Sequence, residues 1–253
     1  MLIAVACLWL VASKGTLCPA TNVPPAPEVM ATPPPPAPAA PVASVHLHHV
    51  FRLTPHVLSG GSPDGDAAFA ELAALGIRTL VSVDGARPDV ATARKHGLRY
   101  VHLPIGYDGI TRSRIAQLAR AAQSLEGPLY VHCHHGLHRG PAAAALLCQA
   151  TAAWSPEQAV GWLRQAGTSP EYPGLYRAVE TFHPPSPAER AGVGDLPETS
   201  QPSSLVEAMV ALDLELERLK EARKHGWSGI PNQPDIIPAH TATLAWELLR
   251  ELG

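Results

Sequence analysis

The chain has 253 residues, enough to bury a core without covalent staples. Its net charge of -3 supplies no global basic field of the kind that draws nucleic acid. Four cysteines with no CxxC pair exclude a disulfide scaffold and a haem-attachment site, and no apolar run reaches the ~18 residues of a buried membrane span.

Leu2–Ala12 is apolar and of the length of a signal-peptide core, with Val11-Ala12-Ser13 as a tolerable cleavage site. The segment 1–18 is therefore expected to direct export, to a periplasmic or membrane-tethered location; a cytoplasmic chain is the alternative. Fifteen of the 27 prolines fall between Pro19 and Pro41 or between Pro184 and Pro202. The stretch 19–44 is expected to be a disordered, polyproline-like tether and 183–203 a second linker. Between them, 45–182 reads as one domain. Val50–Leu53 and Val57–Ser59 are short strands across a Thr54-Pro55 turn. Residues 64–75 form a helix closed by Gly76, Ile77–Val83 a buried strand, 89–96 a short helix and 99–105 another strand. A helix follows over 111–125, with Ile115, Leu118, Ala122 and Leu125 on one face. Pro128–His132 is a strand and 141–154 an Ala-rich helix. Ser155-Pro156-Glu157-Gln158 starts a further helix, and 174–182 is another.

Strands alternating with helices predict an α/β fold with a mostly parallel sheet covered on both faces. Ligands of such sheets bind beyond the carboxyl ends of the strands, so the loops after Val83, Ile105 and His132 should share one rim. After residue 204 the pattern changes. Leu205, Met209, Leu212, Leu216 and Leu219 are spaced 4-3-4-3, which predicts a heptad seam. A second helix over 239–252, carrying Ala245, Leu248, Leu249 and Leu252, completes a C-terminal helical hairpin over 204–253. It should dock on the main domain or on another copy.

One motif carries chemistry. The strand ending at His132 runs into Cys133-His134-His135-Gly136-Leu137-His138-Arg139 and then a helix. Backbone N–H groups of 134–138 can converge on one point, where the helix N-terminus adds partial positive charge. That charge favours the thiolate, the nucleophilic form of a cysteine. Arg139 ends the loop with a planar fork that matches two phosphate oxygens. A nucleophile, an anion cradle and a bidentate clamp are what attack on a phosphate ester requires.

HCxxGxxR, here His132-Cys133-x-x-Gly136-x-x-Arg139, resembles the signature of the cysteine-dependent protein phosphatases, specifically the dual-specificity-like branch. The resemblance covers about 50–182. It implies a phosphocysteine on Cys133, phosphate bound by Arg139 and the loop 134–138, a histidine at 132 that helps keep the thiol ionised, and an aspartic general acid on a separate loop. Asp108, flanked by Gly106 and Gly109, is the favoured acid, because a mobile Asp can close over a leaving oxygen and protonate it. Asp84, before Gly85, is its competitor. The loop also resembles that of atypical plant and fungal members reading KHR, but Leu137 replaces their lysine, which argues against inositol polyphosphates. Where the family has Ser or Thr after the arginine, this chain has Gly140.

The expected function is hydrolysis of a phosphoprotein or small phosphomonoester, without a cofactor, a metal or nucleic acid. Two alternatives remain at this point. One is a phosphate-binding module of low turnover. The other is a metal-binding loop built from Cys133, His134, His135 and His138. Cys148, one helix downstream, reads as a small core residue or as a resolving thiol for Cys133. His46, His48, His49 and His56 read as a solvated cluster or adventitious metal ligands.

Overall fold

The computed structural model describes residues 39–200, 204–228 and 237–252. The signal-like segment 1–18, the tether sequence as far as residue 38, and residues 201–203, 229–236 and 253 lie outside the described residues. The predicted α/β architecture is present. Strands β1 (Ala40–Pro41), β2 (Phe51–Thr54), β3 (Val57–Gly60), β4 (Thr79–Ser82), β5 (Arg99–His102) and β6 (Leu129–His132) form one sheet in the order β1-β2-β3-β6-β4-β5. The last four in that order are parallel; β1 and β2 add an antiparallel edge. The helices are α1 (Gly65–Ala74), α2 (Val90–Lys95), α3 (Arg112–Ser124), α4 (Arg139–Thr151), α5 (Pro156–Gln165), α6 (Pro173–Glu180), α7 (Pro187–Gly192), α8 (Ser204–Lys224) and α9 (Pro238–Leu252).

Alternation along the strands sorts side chains onto two faces. Tyr100, Tyr130, Leu58 and Leu80 pack with Ala68, Phe69 and Leu72 of α1 and Ala93 of α2. Val81, Val101, Val131 and Cys133 pack on the other face with α3, α4, α5 and α6. Every residue from Ala142 to Cys148 is buried, so α4 is covered all round. The alanines Ala142–Ala145 let neighbouring helices approach closely. α5 begins at the predicted start, where Ser155 and Gln158 form a capping box.

Three expectations on the chain's organisation need correction. Ala39 is buried, and Ala40–Pro41 pairs with Phe51–Arg52, so structure begins inside the stretch 19–44 read as tether. Proline fits there because an edge strand needs no donor on its outer side. Within the stretch 183–203, read as a linker, residues 183–200 are folded onto the domain. Ser186 and Glu189 form a capping box for α7, and Arg112 makes two bonds to the Glu189 carboxylate at 2.7 and 2.9 Å. Pro197 O accepts from His102 N at 2.8 Å, and Ser200 Oγ donates to His102 O at 2.6 Å, which covers the free edge of β5. These partners are distant in sequence, so composition alone hides them. The hairpin's seam is displaced as well. Met209 is 54% and Leu216 39% exposed, whereas Glu215 and Ala222 of α8 and Thr241 and Ala245 of α9 are buried. Small residues allow the two helices to close on that line and leave part of the leucine stripe outside. Among the described residues no helix is long and apolar enough to cross a membrane.

Candidate active site

Gly60, Ser82 and His132 stand in register across β3, β4 and β6, and Ser82 pairs with His102 of β5. The parallel strands therefore end level, and the loops after β4, β5 and β6 open on one rim.

Cys133 follows β6 and faces the α4 side of the sheet, 4% exposed. The loop behind it is tied outward at two carbonyls. His134 O accepts from Ser62 N at 2.9 Å, and Leu137 O accepts from the Thr168 hydroxyl at 2.7 Å. In a trans peptide the next N–H points the opposite way, so the N–H groups of His135 and His138 turn into the loop. Gly136, at φ +72°, lies against the backbone of Gly60 and Gly61, and a Cβ there would sit 2.4 Å from Gly60 C. Only glycine closes the loop. No side chain caps α4, so its first N–H groups remain for an anion.

Arg139 opens α4 and is buried, 7% exposed. One arm of its guanidinium lies 3.2 Å from Asp84 Oδ1, and the group stacks over the Tyr107 ring at 4.7 Å. Its Nε is buried without a hydrogen-bond partner among the described residues. The fork is thus held from behind and keeps a donor uncommitted. Burial pushes the Asp84 carboxyl up, but Arg139, the Ala86 N–H, His134 and His132 together bring it below its ordinary range. Asp84 is an anchor in an ion pair, a poor place for a proton donor. Asp108 is the contrary case. It is exposed and makes no hydrogen bond or ion pair among the described residues. It borders a cleft of 520 Å³ with Arg112, Ile115 and Arg177. Gly174 at the start of α6 packs on its backbone so closely that a Cβ would lie 2.1 Å from Asp108 C.

His132 points to the other face of the sheet, where its Nε2 shares a hydrogen bond of 2.8 Å with the Tyr100 hydroxyl. Burial, opposed by the Asp84 charge and the backbone of Cys133, pushes it down to about 4. It is neutral near pH 7 and can act on Cys133 through position rather than charge. The unfolded chain protonates the same ring near pH ~6.5. His132 therefore contributes stability that is present above pH ~6.5 and lost as the pH falls toward 4, about 3 kcal/mol in all. Urea unfolding at pH 7 and pH 4.5 should show this loss, and His132→Asn should flatten it.

The three other histidines of the loop differ from one another. His134 and His135 meet edge to face at 4.3 Å. His138 Nδ1 accepts from Ser169 N at 3.3 Å, and its ring lies 4.8 Å from that of Tyr172, which in turn lies 4.4 Å from Tyr107. His138 is thus part of an aromatic wall beside Arg139. Among the described residues no three His, Cys, Asp or Glu side chains converge as a metal ligand set. Cys148 is fully buried in the main core and its thiol is pushed up by burial, the mark of a packing residue. Of the histidines near the domain's start, His46, His48 and His56 are exposed, whereas His49 is half-buried with its Nε2 bonded to Ala166 O at 2.8 Å. Sequence reasoning missed the anchoring position of Asp84 and the wall of Tyr107 and Tyr172. Tyr107 had a signal, since it adjoins Asp108 on the rim. Tyr172 had none.

No family model matches the chain, and no curated protein matches it by sequence. Solved structures share its fold. P. aeruginosa TpbA is 22% identical, with 63% of this chain covering 98% of that one at a TM-score of 0.51. A cysteine-to-serine variant of TpbA in complex with phosphotyrosine matches at 22% identity, 62% and 96% coverage and a TM-score of 0.50. Human DUSP28 is 20% identical over 56% of this chain and 97% of its own, at 0.42. At such identities the likeness is one of fold, and the fold is phosphatase-like.

Proposed function

We propose that the chain is a cysteine-dependent phosphatase that cleaves phosphomonoesters, phosphoproteins foremost, through a phosphocysteine. The observation that carries this is the cradle itself: Cys133 at the end of β6, inward N–H groups, an uncapped α4 and the anchored fork of Arg139 with its free Nε. Cys133 Sγ attacks phosphorus, an S–P bond forms, and the ester P–O bond breaks. Asp108 gives its proton to the departing oxygen. Water then attacks phosphorus, Asp108 takes the water's proton, and the S–P bond breaks to return the thiolate. TpbA's complex makes phosphotyrosine the first substrate to offer, and the wall of Tyr107 and Tyr172 suits an aromatic ester. The test is hydrolysis of p-nitrophenyl phosphate by the full chain. Turnover blocked by vanadate is expected; no turnover with phosphate still bound would favour the low-activity binding module.

Gly140 makes the second step the slow one. A Cβ at this position would lie 3.4 Å from Cys133 Sγ and 3.1 Å from Cys133 N. A serine hydroxyl there would be within reach of the sulfur, given a shift of a few tenths of an ångström. Such a donor stabilises the thiolate as it leaves, and its absence costs ~10²–10³ in rate where nothing replaces it. A burst of about one p-nitrophenol per active site is expected, and Gly140→Ser should raise the steady-state rate without raising the burst rate. A linear progress curve from the first turnover would reject slow dephosphorylation and leave the phosphatase reading standing.

A further inference from the structure

A polar groove leads away from the candidate active site along α6. Its first part is the 520 Å³ cleft that Asp108 shares with Arg112 and Arg177. Its second part is a 620 Å³ cleft bordered by Arg164, Thr168, Tyr176, Arg177 and Glu180. Arg177 lines both, so the two clefts meet at its side chain. Each part is tied to the phosphate loop or to its rim. Gly174, one turn before Arg177 on α6, packs on the backbone of Asp108, whose neighbour Tyr107 stacks on Arg139 at 4.7 Å. Thr168 donates to Leu137 O at 2.7 Å, and the next residue, Ser169, donates from its N–H to His138 at 3.3 Å.

The groove carries an excess of positive charge. Arg112 is committed to the Glu189 carboxylate and to His183 O. Arg164 and Arg177 are exposed, and neither side chain makes a hydrogen bond or ion pair among the described residues. Glu180, the acid of the second cleft, pairs with neither of them. Asp108 enters the proposed reaction protonated and adds no charge at that stage. Two uncommitted guanidinium forks thus stand in a groove that opens beside the proton donor, and such forks match carboxylates. We propose that this groove is a substrate subsite: Arg177, aided by Arg164, selects phosphoproteins that carry acidic side chains beside the phosphorylated residue. The proposal rests on the phosphatase reading above and names a substrate class for it.

The experiment compares three phosphotyrosine peptides, alike except for glutamates, alanines or lysines on both sides of the phosphotyrosine, with p-nitrophenyl phosphate as the substrate without flanks. The full chain should prefer the glutamate peptide in kcat/KM, chiefly through KM, and the preference should shrink as salt is raised. Arg177→Gln should reduce the glutamate-to-alanine ratio about fivefold, the effect of one charge pair in contact at the surface. Arg177→Lys keeps the charge and should keep most of the preference. Turnover of p-nitrophenyl phosphate should be the same in all three proteins. Arg99→Gln removes an exposed charge at the start of β5, the end of the strand away from the rim, and should leave the ratio unchanged. An unchanged ratio in Arg177→Gln would overturn the proposal. An equal loss in Arg99→Gln would overturn it by assigning the preference to net charge, and an equal loss on p-nitrophenyl phosphate by making Arg177 a support for Asp108. The same ratios can be read as binding affinities with Cys133→Ser, so slow turnover does not obscure them. Absence of turnover on every substrate falls on the phosphatase reading, whereas intact turnover with no preference for glutamate falls on the groove.

Discussion

Cys133→Ser is expected to lower turnover of p-nitrophenyl phosphate by on the order of 10⁴–10⁶-fold while phosphate and vanadate still bind. The thiolate is a strong nucleophile, and a serine hydroxyl in the same place stays protonated near neutral pH. The cradle does not depend on the sulfur. Its donors are backbone N–H groups fixed by the outward bonds of His134 O and Leu137 O, the first turn of α4, and Arg139 held by Asp84. Serine is close to cysteine in volume, so the packing around position 133 should survive. Calorimetric titration with vanadate beside a turnover assay separates the two effects. Turnover that persists in the variant would reject the phosphocysteine; loss of binding together with turnover would mean that the sulfur itself holds the loop.

Asp108→Asn is expected to slow cleavage of poor leaving groups, such as alkyl or phenyl phosphates, by ~10²–10⁴-fold. With p-nitrophenyl phosphate the loss should be far smaller, because that leaving group departs without a proton. Asp84→Asn should behave otherwise. It breaks a buried ion pair, both of whose side chains are under a tenth exposed, and leaves Arg139 uncompensated. Breaking such a pair by removing one partner costs roughly 3–5 kcal/mol of stability. The misplaced fork should weaken all substrates alike, whatever their leaving group. A leaving-group dependence in Asp84→Asn but not in Asp108→Asn would reverse the assignment and move the acid one loop along the rim.

The two carboxylates also show where sequence stops being informative. Both are aspartates beside glycine in loops after a predicted strand, and as sequence they are nearly equivalent. What separates them is the partner each meets. Asp84 is placed against Arg139 by the register of β4 and β6, 55 positions apart in the chain, whereas Asp108 lies on a loop one strand further out, with α6 against its backbone. The second proline-rich stretch teaches the same point. Its composition reads as a linker, yet Arg112, Arg120 and the edge of β5 supply partners from 70 to 100 residues away, and it folds onto the domain.

By itself the sequence determined the alternation of strands and helices, the one sheet they must form, and the loop of Cys133 to Arg139 at the end of a strand. These follow from local propensity, period and the spacing of a few residues within a dozen positions, all of which a linear chain displays. Only the tertiary structure decided which aspartate stands behind the arginine, that His132 is neutral in the core, and that Met209 and Leu216 face outward. Each of these depends on burial or on charge acting across space between segments far apart in the chain. Such terms fall with distance in ångströms and not with separation in sequence, so they exist only once the chain has folded.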